Sequence, residues 1–314
     1  MGVEYPMKKI SANGLYPDLS IDDYHSDCCD GPSISASGLH RLLNEAPAIY
    51  WATSALNPHR DTETAKRALD FGRAAHAMVL GEPEFAKYFV VSPYDDFRKK
   101  EAQEWRDGET RTIVRANEFP VILAMAAAQR QSPQVARAFR DGKPEQSLIW
   151  QDEETGVWLK SRPDWLPDDP AKGFLVDYKT ARSIQPRILS SHAFQFGYHI
   201  QAALQVDGTR AVLGVEPLGI GHVCQEKTGP YLAELRLFTP EQIDFGRREY
   251  RRALTIFKKC WDAWRGGEPD IKAWPGYSTQ PQFFDTPSWL KMENTDEQYD
   301  PNQFASRPLA DDED

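Results

Sequence analysis

A run of three short apolar stretches in the middle of the chain constrains its fold more than any other feature. The stretches are SLIWQ (147–151), VWLKSRPDWL (157–166) and GFLVDYKT (173–180). They are rich in β-branched and aromatic residues and are separated by turn residues, which is the pattern of β-strands. Glu154-Thr155-Gly156 is predicted to form the hairpin turn between the first two strands.

The third of these strands carries charged residues in an apolar setting. Because side chains two apart on a strand point to the same side, Asp177 and Lys179 are predicted to lie together on one face. Asp164 ends the preceding strand, and the intervening connection is long enough to bring it next to Asp177. Buried charges cost stability unless they find partners. The spacing therefore predicts two carboxylates and one ammonium group in a small space.

Helical patterns surround these strands. Helices are predicted at 33–52, 63–81, 117–140, 192–214 and 240–264, and further strands at 219–226 and 232–238. This order of elements predicts an α/β fold in which helices flank a mixed central sheet and further helices are added on the N-terminal side.

Composition divides the chain of 314 residues into three parts. Residues 1–32 are loop-rich, 33–270 form the single predicted domain, and 271–314 are predicted to form an extended Pro-rich arm and then an acidic tail. The net charge is −10, and residues 285–314, with nine acidic and two basic side chains, carry −7 of it. Acidic tails are typically solvated, so the remaining −3 does not exclude a nucleic-acid partner.

Features of membrane and secreted proteins are not found in the sequence. No apolar run approaches the roughly 18 residues that a membrane span needs, and the N-terminus lacks an apolar signal core. The cysteines form no CxxC pair and are predicted to be reduced thiols; they are Cys28, Cys29, Cys224 and Cys260. We therefore expect a cytoplasmic protein.

The charged constellation suits a metal ion. Carboxylates together with a backbone carbonyl fit Mg²⁺, which prefers oxygen ligands. A metal would make the buried charges tolerable, would lower the pKa of a bound water and would offset charge on a phosphate group. Lys179 would orient that water or stabilise the phosphate as a compact point charge. A D-x-K sequence alone is a weak signal and mostly indicates a surface strand that carries a Lys–Asp ion pair.

Pro163-Asp164 followed by Asp177-Tyr178-Lys179 resembles the signature of the PD-(D/E)XK nuclease superfamily. Two more segments resemble the branch that includes exodeoxyribonuclease VIII and the RecB-like nucleases. FGRAAHAMVLGEP offers His76 on a helix before the sheet, and FGYHIQAALQVDG offers Gln201 on the helix after D-x-K.

A fourth segment extends the resemblance toward the N-terminus. SISASGLHRLLNEAPAIYW, which starts at residue 33, is similar to the opening helix of exodeoxyribonuclease-VIII-like phage and prophage proteins. Together the matching segments span about 33–210 in the same order as in the family. The resemblance implies a restriction-endonuclease-like PD-(D/E)XK core.

The resemblance also implies a role for each matching residue. Asp164 and Asp177 would be metal ligands, with the Tyr178 carbonyl as a further one, and Lys179 would be the catalytic lysine. His76 would ligate or orient a second metal. The implied cofactor is Mg²⁺, with two ions in a site and Mn²⁺ able to substitute.

The helix after D-x-K departs from the family pattern. Gln201 is counted with the catalytic residues and would contact Lys179, DNA or a metal-bound water. The family often shows Q-x-x-x-Y, but here Gln205 stands four residues after Gln201. Tyr198, one turn earlier, is an alternative source of the tyrosine ring, and the question stays open at this point.

Several other polar residues have two interpretations. Glu145, just before the first strand, could be an extra acid near the metals or a turn residue, and the turn residue is favoured. His192 and His199 are interpreted as structural. Ser35 and Ser37 could hold a terminal 5′-phosphate at a helix N-terminus, or simply cap that helix, and the cap is slightly favoured.

Hydroxyl, aromatic and basic side chains near these elements are candidate contacts to DNA, of the kind that position a phosphate backbone without reading sequence. The predicted DNA-binding residues are Ser35, Ser37, Arg73, Arg162, Arg182 and Tyr198. Further basic candidates are Arg60, Lys66, Arg67 and Lys160.

The resemblance implies a Mg²⁺-dependent exonuclease that degrades one strand of a linear duplex from 5′ to 3′. It would leave 3′ overhangs for a single-strand annealing protein, and it would assemble into a homo-oligomeric ring around DNA. Two alternatives remain: a structure- or site-specific endonuclease with the same core, and a non-catalytic DNA-binding protein that keeps the fold.

Overall fold

In the computed structural model, the strands of the described residues assemble into three sheets, with helices between and after them along the chain. The structure describes residues 9–60, 67–278 and 280, and for 67–72 the backbone alone. The strands are β1 (Gly14–Tyr16), β2 (Ser33–Ser35), β3 (Phe89–Val91), β4 (Thr112–Val114), β5 (Gly142–Pro144), β6 (Ser147–Gln151), β7 (Trp158–Ser161), β8 (Trp165–Pro167), β9 (Phe174–Ala181), β10 (Gly219–Glu226) and β11 (Ala233–Leu237).

The helices cover these sheets. They are α1 (Ile21–His25), α2 (Ala36–Asn44), α3 (Pro47–Thr53), α4 (Arg67–Leu80), α5 (Glu82–Tyr88), α6 (Lys100–Gly108), α7 (Phe119–Gln131), α8 (Pro133–Ala138), α9 (Pro186–Gln195), α10 (Tyr198–Leu213), α11 (Pro240–Arg265) and α12 (Asp270–Ala273). All of them lie in the first of the two units into which the chain divides, Met1–Gly276 and Tyr277–Asp314.

A mixed five-stranded sheet, in the order β11-β10-β9-β8-β5, carries the D-x-K strand near its middle. The strands β9 and β10 are parallel over their whole length, from Gly219 opposite Phe174 to Glu226 opposite Ala181. The other neighbours in this sheet are antiparallel. This mixed sheet with flanking helices is the predicted α/β architecture, and it has the form of a restriction-endonuclease-like core.

The predicted strand at 157–166 is not continuous. It divides into β7, which joins a second sheet in the order β1-β6-β7-β2, and β8, which joins the five-stranded sheet. Pro163 lies at the break, and proline has no amide hydrogen to donate to a sheet ladder. The break between β7 and β8 matters for the site, because Asp164 lies where the chain passes from one sheet to the other.

Three predicted helices are also divided. The region 33–52 forms β2, α2 and α3, and 117–140 forms α7 and α8, with Pro47 and Pro133 beginning the second helix in each region. A proline disfavours helical backbone in the residue before it, which explains both breaks. The region 192–214 lies in α9 and α10, which separate at Gly197, where φ is +70° and the backbone is left-handed.

The helix α10 lies at the centre of the core. Its buried residues include Ile200 and Leu204, and they pack with aliphatic residues of β6 and β7 and with α11. Gly246 on α11 meets the backbone of His199 so closely that a Cβ there would overlap the carbonyl oxygen. The absence of a side chain at Gly246 therefore allows α11 to press α10 against the sheets.

Secondary structure extends into both flanks of the predicted domain. The strand β1 pairs with β6, and Trp274 is 1% exposed and stacks on Trp51 with ring centroids 4.6 Å apart. The division at residues 32 and 270 stays a prediction, and the acidic tail, residues 285–314, lies outside the described residues. Within the described ranges, no helix is long and apolar enough to cross a membrane.

A buried hydrogen-bond network ties α7 to the five-stranded sheet. Gln225 on β10 is 0% exposed. Its Oε1 accepts from the Tyr178 hydroxyl at 2.6 Å and from Gln129 Nε2 at 3.0 Å. Its amide donates to the carbonyls of Met125 and Tyr231 at 2.8 and 3.0 Å. Both polar atoms of the Gln225 side chain therefore have hydrogen-bond partners.

Replacing Gln225 with leucine is expected to lower the free energy of unfolding by about 3 kcal/mol, because several buried polar groups would lose their partners. Urea denaturation of the metal-free protein measures the change. Gln134 on α8 is exposed, so Gln134→Leu is the matched control and should change stability by less than about 0.5 kcal/mol. Equal effects of the two substitutions would contradict the importance of the network.

Candidate active site

The strand β9 alternates between two environments, as its sequence predicts. Val176 and Tyr178 face the apolar cluster formed with α8 and β10. Asp177 and Lys179 face α10 on the opposite side, and Lys179 Nζ forms an ion pair with Asp177 Oδ1. Asp177 is only 1% exposed. The charged pair is therefore built into the sheet and is not a solvated surface pair.

Asp164 occupies the edge of β9 where β8 diverges. These two strands pair at Trp165 and Val176 alone. Beyond that point, Asp164 Oδ2 accepts a 2.6 Å hydrogen bond from the Tyr178 backbone amide. The N–H and C=O of one strand residue point to the same side, so the Tyr178 carbonyl faces the same edge as Asp164. This places three oxygen-bearing groups near one another: Asp164, Asp177 and the Tyr178 carbonyl.

His76 on α4 meets this edge between two carboxylates. Its Nε2 lies 3.1 Å from Asp164 Oδ2 and its Nδ1 lies 3.6 Å from Glu145 Oε1. The imidazole also stacks on the Tyr178 ring, with centroids 5.8 Å apart and planes 16° from parallel. Ligand atoms of His76, Glu145 and Asp164 all lie within 4.8 Å of one another, a cluster that could hold a metal ion.

Burial and the two neighbouring carboxylates determine the pKa of His76. Burial alone would lower its pKa, but the carboxylates of Asp164 and Glu145 outweigh burial and raise the pKa to about 9. Burial raises the pKa of Glu145, and the nearby Asp164 raises it further. In the absence of a metal ion, the positive charge of protonated His76 therefore offsets the negative charges of Asp164 and Glu145.

Glu145 is held by a buried arginine. Arg162 Nε donates to Glu145 Oε2 at 2.6 Å, and its Nη1 donates to Ser147 Oγ and to the Leu19 carbonyl, both at 2.8 Å. The Arg162 side chain is only 7% exposed. These contacts make Arg162 a group that positions Glu145, and the DNA contact predicted for it stays a prediction.

Two glutamines of α10 cover the other oxygen of Asp177. Gln201 Nε2 donates to Asp177 Oδ2 at 2.5 Å, and Gln205 Nε2 donates to the same oxygen at 3.0 Å. Burial would raise the pKa of Asp177, but the Lys179 ammonium and His222 lower it, and the net pKa is lowered. The carboxylate is thus kept ionised without being exposed.

Lys179 and Tyr198 form the wall of the cleft above Asp177. The Lys179 ammonium lies 5.3 Å from the centroid of the Tyr198 ring. Burial alone would lower the pKa of Lys179, but the carboxylates of Asp177 and Asp164 raise it. These two carboxylates therefore favour the ammonium form of Lys179 in the metal-free protein.

A cleft of about 670 Å³ connects these groups. Its described lining contains five of the six predicted DNA-binding residues, which are Ser35, Ser37, Arg73, Arg162 and Tyr198. The sixth, Arg182, is exposed directly after β9 and is not among the described lining residues. Ser35 is the N-cap residue of α2, but its side chain makes no capping hydrogen bond and contacts Ser37 Oγ at 3.1 Å.

The remaining candidates lie in varied settings. Lys160 also lines the cleft, but it is buried and its ammonium donates to the carbonyls of Tyr24 and Ser26. Arg60 is exposed. Lys66 and the side chain of Arg67 lie outside the described residues. His199 packs on Phe194 and Phe245, and His192 packs on Phe196; both histidines are in the packing positions expected of structural residues.

Glu145 and Gln205 take a larger part in the site than the sequence alone indicated. Glu145 is a turn residue with φ of +55°, as favoured, but that turn also aims its carboxylate at His76. Gln205 appeared as a departure from the family pattern, yet residues four apart share a helix face. The spacing of Gln201 and Gln205 was therefore a signal that both could reach Asp177.

The donor set fits a divalent cation. Within the described part of the chain, His76 Nε2 is buried and makes no hydrogen bond of normal geometry. The Asp164 and Glu145 carboxylates lie beside it, and the Tyr178 backbone carbonyl faces the same strand edge. Hard divalent ions such as Mg²⁺ and Mn²⁺ take oxygen ligands, and Mn²⁺ also accepts an imidazole. His76, Glu145, Asp164, Asp177 and the Tyr178 carbonyl are the groups that would hold such ions.

The high pKa of His76 predicts how Mn²⁺ binding depends on pH. A metal that binds the imidazole must displace its proton, and that proton is held with a pKa of about 9. The apparent Mn²⁺ association constant should therefore rise nearly tenfold per pH unit between about pH 6.5 and 8.5. Titrations followed by the electron paramagnetic resonance of free Mn²⁺ measure this. A flat profile, or the same slope in His76→Asn, would contradict ligation by His76.

Comparisons with known proteins agree with this architecture. The sequence family described as a PDDEXK-like domain of unknown function (DUF3799) matches residues 35–270. A crystal structure of a "putative exonuclease" from Eubacterium rectale superposes with a TM-score of 0.54 at 14% sequence identity, covering 76% of this chain and 85% of that one. At this identity the likeness concerns the fold alone. No curated protein matches the chain significantly.

Proposed function

We propose, from the premise that this chain belongs to the PDDEXK-like DUF3799 family and carries a nuclease domain, that it is a Mg²⁺-dependent exonuclease for linear double-stranded DNA. One observation carries the proposal. Lys179, paired with the buried Asp177 on β9, lines the same cleft as the His76–Glu145–Asp164 cluster at the edge of that strand. Their charges suit the hydrolysis of a phosphodiester.

Each side chain has a task in that reaction. Asp164, Asp177, His76 and the Tyr178 carbonyl would hold the cation, with Glu145 as an additional acid. A bound divalent cation would polarise the phosphate and lower the pKa of the attacking water. Two ions would be accommodated, and Mn²⁺ would substitute for Mg²⁺.

Lys179 is proposed to stabilise the charge that develops on the phosphate oxygens. Its raised pKa favours the ammonium form, and its flexible stem would let the positive charge approach the phosphate oxygens. Gln201 and Gln205 hold Asp177 in place through Oδ2. Because both amides donate to the same oxygen, the carboxylate keeps one orientation whether or not a cation is present.

The cleft lining offers contacts to the DNA backbone. Arg73 lies one helical turn before His76 and faces the cleft. Ser35 and Ser37 present hydroxyl groups that would donate hydrogen bonds to the oxygens of a terminal 5′-phosphate. Tyr198 and Arg182 are the remaining proposed contacts. Because backbone contacts carry no sequence information, we expect digestion that is independent of sequence.

The finer features of the proposal come from the family resemblance. They are degradation from 5′ to 3′, 3′ overhangs for a single-strand annealing protein, a recombination role in a phage or prophage, and a homo-oligomeric ring in the cytoplasm. Closed cyclic symmetry would let a ring surround the DNA that it degrades.

The experiment is the digestion of a linear duplex labelled at its 5′ or its 3′ ends, beside a closed circle of the same sequence. Each substrate is incubated with Mg²⁺ or with EDTA, and Asp177→Ala is the inactive control. The proposal predicts Mg²⁺-dependent loss of the linear duplex from its 5′ ends, with the circle spared.

The other outcomes are equally informative. Cutting of the circle would replace the exonuclease with an endonuclease of the same core. Release of the 3′ label first would reverse the polarity. DNA binding without cutting in Mg²⁺ or Mn²⁺ would contradict the enzymatic proposal and leave a binding protein.

A further inference from the structure

The corner between α9 and α10 presents an exposed aromatic ring at the rim of the cleft. Phe196 lies between the end of α9 and the start of α10, is 56% exposed and lines the cleft. Its ring contacts His192 edge-on, with centroids 5.7 Å apart. A large apolar side chain in this position leaves surface in water that the fold does not cover.

The corner is fixed by several interactions. The Phe196 amide donates to the His192 carbonyl at 2.8 Å, and the Gly197 amide donates to the Phe194 carbonyl at 3.2 Å. His40 of α2 approaches Gly197 so closely that a Cβ there would overlap the imidazole, and His40 Nε2 lies 3.0 Å from the Gln195 carbonyl oxygen. The exposure of Phe196 is thus a property of an ordered corner.

The ring lies close to the reacting groups. The centroids of Phe196 and Tyr198 are 6.3 Å apart, with planes 33° from parallel. The Tyr198 centroid is in turn 5.3 Å from Lys179 Nζ. Phe196 and Tyr198 therefore line one side of the cleft, next to the Lys179 ammonium group that would face the scissile phosphate.

We propose that Phe196, supported by Tyr198, is a stacking platform for an unpaired nucleobase next to the phosphate that is cleaved. This inference rests on the proposed function, because the nucleobase belongs to the nuclease substrate. Aromatic side chains stack on the face of any base, so the contact tolerates all sequences. Inside a duplex that face is covered by neighbouring bases, so the platform requires an end whose last nucleotides are unstacked.

The position of Phe196 distinguishes it from other exposed apolar residues. Isolated apolar side chains on a surface are normal, and Leu218, Leu232 and Leu237 are examples with 51–55% exposure. None of these three is among the described residues that line the cleft. Phe196 combines the exposure with a place beside Tyr198 and Lys179.

Binding of 2-aminopurine oligonucleotides tests the platform. Ca²⁺ replaces Mg²⁺ so that DNA is held without being cleaved, and the fluorescent base is moved one position at a time through the end of the strand. At one position, the full-length protein should quench the fluorescence by stacking. Phe196→Ala should remove the quenching and weaken binding about tenfold, whereas Phe196→Tyr should retain both. Leu218→Ala is the matched control and should behave as the unchanged protein.

An abasic nucleotide at the quenched position provides the second arm. It should weaken binding by the unchanged protein about tenfold and have little further effect on Phe196→Ala, since the two changes remove the same contact. Equal binding and quenching by the unchanged protein and Phe196→Ala would overturn the platform while leaving the nuclease proposal intact. A protein that binds no oligonucleotide with Ca²⁺ and degrades no DNA with Mg²⁺ would overturn both.

Discussion

Lys179→Met is expected to reduce kcat for DNA hydrolysis by at least about 10²-fold, because the substitution removes the positive charge nearest the proposed phosphate position. Methionine keeps a stem of similar length beneath the Tyr198 ring. Asp177 would lose its ion-pair partner but keep the hydrogen bonds from Gln201 and Gln205. We therefore expect a folded protein that still binds DNA.

Lys179→Met is also expected to lower the free energy of unfolding. A buried carboxylate that loses its cation costs free energy, and part of this cost should be recovered when saturating Ca²⁺ is present. Lys172, which pairs with Asp169 on the surface at 2.7 Å, supplies the control. Lys172→Met should leave both kcat and stability nearly unchanged. Full activity of Lys179→Met at a temperature where it is folded would remove the lysine from the mechanism.

Asp164→Asn is expected to reduce kcat/KM by about 10³-fold or more, because the substitution removes a charged oxygen ligand from the cation site. The amide oxygen of asparagine can still accept the hydrogen bond from the Tyr178 amide, so the geometry of the strand edge should be preserved. Asp168 is exposed in the turn after β8, and Asp168→Asn is the matched control with no expected loss.

A second measurement on Asp164→Asn separates chemistry from folding. The Asp164 carboxylate is the main group that raises the pKa of His76, so the imidazole of the variant should titrate at a lower pH. Nuclear magnetic resonance of the histidine ring protons in metal-free protein measures this shift. An unchanged pKa together with unchanged cleavage would contradict the placement of Asp164 at the centre of the site.

Period-two alternation and sequence order made much of the site predictable. The alternation placed Asp177 and Lys179 on one face of β9, and the short connection brought Asp164 to the same strand. Strand alternation and chain connection depend on local geometry, which a sequence pattern records directly. His76 was expected at the site only through the family resemblance, because a histidine on a small-residue helix face is by itself more typical of a core position.

Other features depend on tertiary contacts that no pattern records. The divided strand at Pro163 moves β7 into a second sheet, and the aim of Glu145 depends on its left-handed backbone and on Arg162. The break at Gly197 is required by the approach of His40, which is more than 150 positions away in the sequence. Helical periodicity continues through that break, so the periodicity predicted one helix where the fold needs two.

The structure also explains how buried charges are tolerated before any cation binds. Lys179 and the two glutamine amides satisfy Asp177, while the proton on His76 and the guanidinium of Arg162 offset Asp164 and Glu145. A cation that displaces the His76 proton would take over part of this compensation.

The measurement that tests the central claim most directly is anomalous diffraction from crystals of the full-length protein soaked in Mn²⁺. The account predicts a manganese peak within coordination distance of Asp164, Asp177 and the Tyr178 carbonyl, with His76 and Glu145 beside the same peak or a second one. A manganese peak elsewhere, or none in this cleft at a Mn²⁺ concentration that supports DNA cleavage, would contradict it.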